Sequence, residues 1–230
     1  MFIDKSMTRD VLTIAPETSI AEASELMRRN HIRHLPVTDQ DHKLVGIVTD
    51  RDIRSAMPSI LSSEEAVSKE RERIVQLKVK DIMTTNVVTI SPMNTLEDAL
   101  LLMQRTRVGA FPVLDPQHRL VGIISVRDLM RAFINVLGIE EPGTLLCILA
   151  EDKVGQMKKI VDAITEERIP FGSILVARYW EEGKRAVFPY LLTGNVARVK
   201  AKLEGLGFTL LNPMQWSLDQ LPKKSDKSSG

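Results

Sequence analysis

The sequence predicts an α+β protein. It carries a duplicated β-α-β-β-α unit, forming a pseudo-twofold pair, and then a separate ferredoxin-like β-α-β-β-α-β domain. Three observations lead there. Residues 7–56 align with residues 83–132 without a gap, at a constant offset of 76. Within each copy, apolar residues switch between the two-residue period of strands and the 3.6-residue period of helices. A break with glycine and proline, Gly138-Ile-Glu-Glu-Pro-Gly143, then separates the repeats from a third run of elements.

The repeat is dense. Met7-Thr8 matches Met83-Thr84, and Val11, Thr13, Ile14 and Pro16 match Val87, Thr89, Ile90 and Pro92. Pro36-Val37 matches Pro112-Val113, and Leu44-Val45-Gly46-Ile47 matches Leu120-Val121-Gly122-Ile123. Two copies are too few for a solenoid and point to a pseudo-symmetric pair. Each copy opens with a short Val/Leu-Thr-Ile strand. Ser19-Ile-Ala-Glu22 and Thr95-Leu-Glu-Asp98 then read as capping boxes. Ile20, Ala23, Leu26 and Met27 recur at helical spacing, as do Leu96, Ala99, Leu102 and Met103. Leu35-Pro-Val37 and Phe111-Pro-Val113 are short strands in which proline removes a ladder donor. Turns at Asp39-Gln-Asp41 and Asp115-Pro-Gln117 lead to strands Leu44–Val48 and Leu120–Ile124, and helices begin at 52–56 and 128–136.

The predicted domains are a first motif over 1–58, a helical linker over 59–77, a second motif over 78–137, the third domain over 138–216, and a disordered polar tail over 217–230. The linker, with Glu64-Glu-Ala-Val-Ser-Lys-Glu-Arg-Glu-Arg-Ile-Val, is either a solvated, ion-paired connector or a gate over a cleft. In the third domain, Thr144–Ala150 is an apolar strand and Asp152–Glu167 a helix with Met157, Ile160, Val161 and Ile164 on one face. Phe171–Tyr179 and Arg185–Leu192 flank a hairpin turn at Glu181-Glu-Gly183. Asn195–Leu206 is a helix closed by Gly207, and Phe208–Leu211 completes a four-stranded sheet.

Composition bounds the function. A 43% apolar and 27% charged chain is ordinary for a soluble globular protein. A net charge of +1 supplies no field toward nucleic acid or an anionic membrane. Met1-Phe-Ile-Asp-Lys5 lacks a signal-peptide pattern, and no apolar run approaches the roughly 20 residues of a membrane span. The single cysteine, Cys147, excludes an intramolecular disulfide and a cysteine-based zinc site. It fits a reducing cytoplasm and, on an apolar strand, is expected to be buried and inert.

The chemistry-bearing stretch is Gly46-Ile-Val-Thr49-Asp-Arg-Asp52, which returns as Gly122-Ile-Ile-Ser125-Val-Arg-Asp128. A hydroxyl at a helix start, with an acid three residues on, caps the helix. The same pair suits a phosphorylated ribose. Helix N-termini attract anions, a carboxylate accepts from both ribose hydroxyls, and Arg51 and Arg127 have the reach to clamp phosphate. Capping and binding are compatible. No Ser-His-Asp set, P-loop or paired catalytic acids appear, so a non-catalytic protein is expected. His31-Ile-Arg-His34 has metal-ligand spacing but no acidic or thiol partner nearby in sequence, and His42 and His118 read as exposed turn residues.

Residues 4–137 resemble a tandem pair of CBS motifs, the Bateman module. The resemblance rests on the Thr-Ile-x-Pro lead-in, the apolar-Pro-Val strand and Gly-h-h-[Thr/Ser]-x-x-Asp, each present twice. The third domain is similar to an ACT domain in element order and in Asp152-Lys-Val-Gly155, with Lys153-Val154 where Arg-Pro is frequent. The order CBS-CBS-ACT resembles the acetoin-utilisation AcuB-like family, as does Lys78-Val-Lys-Asp-Ile-Met83. The resemblance implies clefts for an adenosyl ligand. The candidates are AMP, ADP, ATP, S-adenosylmethionine or a dinucleotide. It implies an adenine slot at His34-Leu35-Pro36 and Ala110-Phe111-Pro112, with Thr13 and Thr89 near ribose or phosphate. Arg33 and His34, against Gly109 and Ala110, suggest that the first cleft takes the more charged ligand. Asp152 and Gly155 either shape an amino-acid effector loop or simply cap the helix of a dimerising domain. Met157, Phe171 and Phe188 are expected in the core.

The expected function is therefore a non-catalytic sensor of adenine nucleotides, needing no resident cofactor or metal, that relays occupancy to a homodimer interface or a regulated enzyme. Two other readings stay open: a dimerising regulatory subunit with vestigial clefts, and a nucleic-acid-linked regulator, which the near-neutral charge disfavours.

Overall fold

The structure, a computed structural model, describes residues 1–56 and 76–216, so most of the expected linker helix and the whole expected tail lie outside the described residues. The chain divides into two units, Met1–Leu129 and Met130–Gly230.

In the first unit each copy builds the same elements. Copy one has α1 (Ile20–Arg29), β1 (His34–Thr38), β2 (Leu44–Thr49) and α2 (Asp50–Ala56). Copy two has the one-turn α3 (Val79–Ile82), then α4 (Leu96–Thr106), β3 (Ala110–Leu114), β4 (Leu120–Ser125) and α5 (Val126–Leu137), which runs on into the second unit. Both capping boxes form: Ser19 and Thr95 accept from the N–H groups of Glu22 and Asp98, whose carboxylates accept in return. Helices α2 and α5 start two residues earlier than predicted. The first helical N–H of each is already held, Asp50 by Arg33 O and Val126 by Gly109 O, both at 3.1 Å.

The predicted lead-in strands contract to single parallel bridges, Ile14 to Val37 and Ile90 to Val113. The reason is the proline. Ile14 N–H donates to Pro36 O at 3.2 Å and Thr38 N–H to Ile14 O at 3.0 Å. The next rung would need an N–H from Pro36, which proline lacks. Pro112 stops Ile90 in the same way, accepting at 3.1 Å.

Leu35, Val37 and Val48 share a core with Ala23, Met27 and Ile53, and so face the helices. Their neighbours His34, Pro36, Ile47 and Thr49 therefore point to the opposite side of the sheet. Val79 belongs to this same core, with Ile82 and Met83 packed against it, although all three come from copy two. The exchange is reciprocal. Thr84 pairs with Ile47 through two bonds of 2.9 and 3.0 Å, and Thr8 pairs with Ile123 through two of 2.9 Å. Lys80 N–H reaches Pro16 O, and Asp4 N–H reaches Pro92 O. Each sequence repeat thus lends its first residues to the other copy's lobe. Gly46 and Gly122 permit this, since a Cβ would lie 2.6 Å from Met83 Sδ in the first and 2.5 Å from Met7 Sδ in the second.

In the second unit, β5 (Gly143–Glu151), α6 (Gln156–Glu166), β6 (Phe171–Glu181), β7 (Lys184–Leu191), α7 (Ala197–Gly205) and β8 (Thr209–Trp216) form an antiparallel sheet ordered β6-β7-β5-β8. Along the chain the elements follow the predicted β-α-β-β-α-β order. Leu146, Ile148 and Val187 of the sheet pack on Ile160 and Ile164 of α6 and on Val199 and Leu203 of α7. The helix α7 ends as predicted, with Gly207 at φ +85°, its N–H on Glu204 O and that of Phe208 on Leu203 O.

Three expectations fail here. Helix α6 begins at Gln156, not Asp152; its N-cap is Gly155 at φ +92°, without a side-chain cap. Cys147 is only half-buried, because it alternates with the core residues Leu146 and Ile148 and faces away from the helices. What burial it has pushes its thiol upward. Phe188 follows core residue Val187 and likewise faces away from the helices, while Met157 and Phe171 do pack against the core.

Candidate functional site

The repeated hydroxyl-x-x-Asp stretch sits at a strand-to-helix junction in both copies. Thr49 N–H and Oγ1–H donate to Asp52 Oδ2 at 2.8 and 2.7 Å, and Asp52 N–H donates back to Thr49 Oγ1 at 3.3 Å. Ser125 N–H and Oγ–H donate to Asp128 Oδ2 at 2.9 and 2.6 Å, and Asp128 N–H returns to Ser125 Oγ at 3.4 Å. Both are capping boxes. Capping fixes one carboxylate oxygen in place, and a carboxylate offers acceptor sites on two oxygens, so the cap orients Asp52 without exhausting it.

Strand register brings the other predicted residues to this junction. His34 is the cross-strand partner of Thr49, and Ala110 that of Ser125, so each pair shares a sheet face. Thr13 and Thr89 are half-buried and held beside the prolines by the bridges of Ile14 and Ile90. Leu35 and Phe111 are fully buried, Leu35 within the hydrophobic core. Pro36, Pro112 and Ala110 are also buried.

The cations divide. Arg33 and Arg51 are exposed. Arg127 reaches out of its own copy, with Nη1 donating to His31 O at 3.4 Å. His34 crosses the same seam, and a Cβ on Gly109 would stand 3.2 Å from its Nε2. Sequence reasoning missed both contacts, since residues 96 and 75 positions apart have no local signal. His31 and Arg107 occupy equivalent positions at φ +53° and +56°, and His42 and His118 are exposed turn residues at φ +59°. Among the described residues no cluster of three or more metal-ligating side chains occurs.

Burial, and then Arg33, lower the pKa of His34 below the ordinary 6.5, while Asp52 and Asp50 oppose the shift. The native imidazole thus gives up its proton more readily than the unfolded one. Native-state stability is expected to decline as pH falls through 6.5 toward the lowered native value, and to be insensitive to this group above it. Denaturant melts of the wild type and His34→Gln at about pH 7.5 and about pH 5.5 test this, with the wild type losing more than the variant on acidification.

The second unit carries a cleft of about 220 Å³ where β5 meets α6, lined by Glu151, Asp152, Lys153 and Gln156 over Met157 and Val187. Asp152 does not cap α6; it pairs with Arg185, whose buried Nε has no hydrogen-bond partner. Gly155 is the N-cap residue beside this cleft.

The first unit is a pseudo-symmetric pair of small sheets, each placing a hydroxyl-carboxylate pair at a helix start beside a proline-bearing strand. The CBS domain family matches residues 3–59 and 79–135. The chain belongs to the CBS-domain-containing proteins. It is 37% identical over 138 residues to a CBS domain-containing protein of Dictyostelium discoideum, covering 60% of this chain and 94% of that one. Similarity to enzymes is confined to a segment: inosine-5'-monophosphate dehydrogenase of Methanocaldococcus jannaschii is 36% identical over 128 residues, 56% of this chain but 23% of the enzyme. Among solved structures, a candidate acetoin utilization protein (AcuB) from Vibrio cholerae is 28% identical, with a TM-score of 0.51 over 60% of this chain and 94% of that one. CBSX2 of Arabidopsis thaliana, 27% identical over 58% of this chain and 96% of its own (TM-score 0.49), has been solved in complex with AMP. No helix of the described residues is long and apolar enough to cross a membrane.

Proposed function

We propose that the chain is a non-catalytic sensor whose CBS pair binds an adenine nucleotide of the AMP, ADP or ATP class. The observation that carries this reading is the twice-built junction. Thr49–Asp52 and Ser125–Asp128 are oriented by caps, and each stands opposite the start of an apolar-Pro-Val strand. In the first cleft Asp52 receives the ribose hydroxyls, the backbone of His34-Leu35-Pro36 reads the base, Thr13 and Thr49 approach ribose or phosphate, and Arg33 and Arg51 supply positive charge. In the second, Asp128, Thr89, Ser125, Arg127 and Ala110-Phe111-Pro112 take the equivalent roles. The second cleft has Gly109 and Ala110 in place of Arg33 and His34, so it favours a less charged ligand.

The C-terminal unit reads as an ACT-like domain, supported by its β-α-β-β-α-β order and its cleft, lined by Asp152 and by Gln156 next to Gly155. It relays occupancy to a dimer interface or a regulated enzyme. The coupling is set by the ligand's different affinities for the two poses of the pair, not by tight binding as such.

Calorimetry of the nucleotide-stripped chain against AMP, ADP, ATP and S-adenosylmethionine tests the reading. Binding in the micromolar range by one or more is the expected result. Silence from all four, with the protein folded, leaves the repeated motif as a pair of helix caps.

A further inference from the structure

His34 sets the first cleft apart from the second. Register puts it opposite Thr49, on the sheet face away from the helices, as Ala110 stands opposite Ser125 in copy two. Copy two makes room for the ring. A Cβ on Gly109 would stand 3.2 Å from Nε2 and 3.4 Å from Cε1, so any larger residue there would press on the imidazole. The groups that face the ring are few. Arg33 precedes it in the chain, and Asp50 and Asp52 act on it from the start of α2. Thr49 stands across the hairpin, and copy two presents the uncharged Gly109. Arg127, which crosses the same seam, is turned to His31 O at 3.4 Å. Among the described residues no hydrogen bond holds the half-buried imidazole, so burial and these charges alone set its protonation.

Burial first and Arg33 second favour the neutral ring, against the pull of Asp52 and Asp50. An anionic ligand on the Thr49–Asp52 junction reverses the second cause. A phosphate beside Arg33 cancels the guanidinium's charge and adds its own attraction for an imidazolium. Histidine is the side chain whose ordinary range lets such a change matter near neutral pH. The second cleft cannot respond in this way, because Ala110 occupies the matching position and has no ionisable group.

We propose that His34 takes up a proton when a nucleotide enters the first cleft, so that this cleft, and not the second, tightens as pH falls. Proton and nucleotide are then linked ligands, each raising the affinity for the other by the same factor. One cleft responds to acidification together with nucleotide, and the other to nucleotide alone. The proposal rests on the sensor reading above and adds a regulation to one of its two sites.

Proton NMR of the imidazole tests it. The chain has four histidines, and His31, His42 and His118 are exposed at positive φ, where asparagine is well tolerated. His31→Asn, His42→Asn and His118→Asn together leave His34 as the sole histidine signal. Where that triple variant is unstable, the signal is assigned instead by its loss in His34→Gln. The titration midpoint is expected below 6.5 in the free protein and at least ~0.5 pH unit higher with saturating AMP. Calorimetry should show the AMP affinity of the wild type, relative to His34→Gln, rising at least ~twofold between about pH 7.5 and about pH 5.5. The comparison removes the titration of the phosphate itself, which both proteins share. A midpoint that bound AMP leaves unmoved or lowers overturns the inference and leaves the sensor reading standing. So does an equal pH response in His34→Gln. Absence of AMP binding overturns the inference along with the nucleotide assignment for AMP.

Discussion

Asp52→Ala is expected to weaken nucleotide binding in the first cleft by roughly 10- to 100-fold while leaving the second cleft unaltered. The carboxylate does two things at once. Through Oδ2 it closes the cap on Thr49, with bonds of 2.8 and 2.7 Å. In the proposed complex it also accepts from the ribose. Hydrogen bonds to a charged acceptor are worth about 1.5–3 kcal/mol each, and 1.4 kcal/mol is a factor of ten in affinity. Loss of the cap costs about 1 kcal/mol of stability besides. Asp52→Asn separates the two effects, because its side-chain oxygen still accepts at the cap while the charge is gone. Site-resolved calorimetry on Asp52→Ala, Asp52→Asn and Asp128→Ala is the measurement. Binding lost in both Asp52 variants, with only the alanine destabilised, is the expected pattern. If both variants bind as the wild type does, the carboxylate is a structural cap and nothing more.

Gly46→Ala is expected to destabilise the first unit by about 2 kcal/mol, the usual cost of forcing extra volume into a packed site. The added methyl would fall 2.6 Å from Met83 Sδ, 3.1 Å from its Cγ and 3.2 Å from Thr84 O. The side chain can retreat but the carbonyl is tied to the strand, with Ile47 N–H on Thr84 O at 3.0 Å. The arm of copy two must therefore shift off the lobe of copy one. Met83→Ala should cost about 1–2 kcal/mol through lost packing, since the side chain is only half-buried. Combined, the two substitutions should cost less than their sum by at least ~0.5 kcal/mol, because each relieves the other's clash or void. Urea unfolding of the four proteins closes the cycle. Strict additivity would mean that the methionine does not occupy the slot the glycine leaves. The same experiment with Gly122 and Met7 should give the same coupling, since that Cβ would fall 2.5 Å from Met7 Sδ.

Much of this protein is legible before any coordinates. The ungapped repeat announces the pseudo-twofold, and the capping boxes at Ser19 and Thr95 are set by four consecutive residues each. The hairpin glycine at 183 and the closing glycine at 207 adopt φ values of +70° and +85° that their residue type alone anticipates. Where the reading fails, a neighbour distant in sequence has intervened. The lead-in strands shorten to one bridge because the strand beside them offers a proline at the next rung. Asp152 abandons its expected cap for Arg185 on another strand. Cys147 and Phe188 are apolar residues on apolar strands, but a strand has two faces and only one of these lies under the helices.

For the site the division runs along the same line. Local sequence by itself determined the hydroxyl-carboxylate junctions, the proline strands and the elements that carry them, because each depends on residues within a few positions of one another. Only the tertiary structure decided that Leu35 and Phe111 turn into the core, that His34 and Arg127 lean across the seam, and that each lobe is completed by the other repeat's first residues. Those outcomes depend on which surfaces meet once the copies pack. Copies that share a backbone differ in Arg33 against Gly109 and His34 against Ala110. The sequence displays such differences plainly, and their meaning appears only when the facing atoms are known.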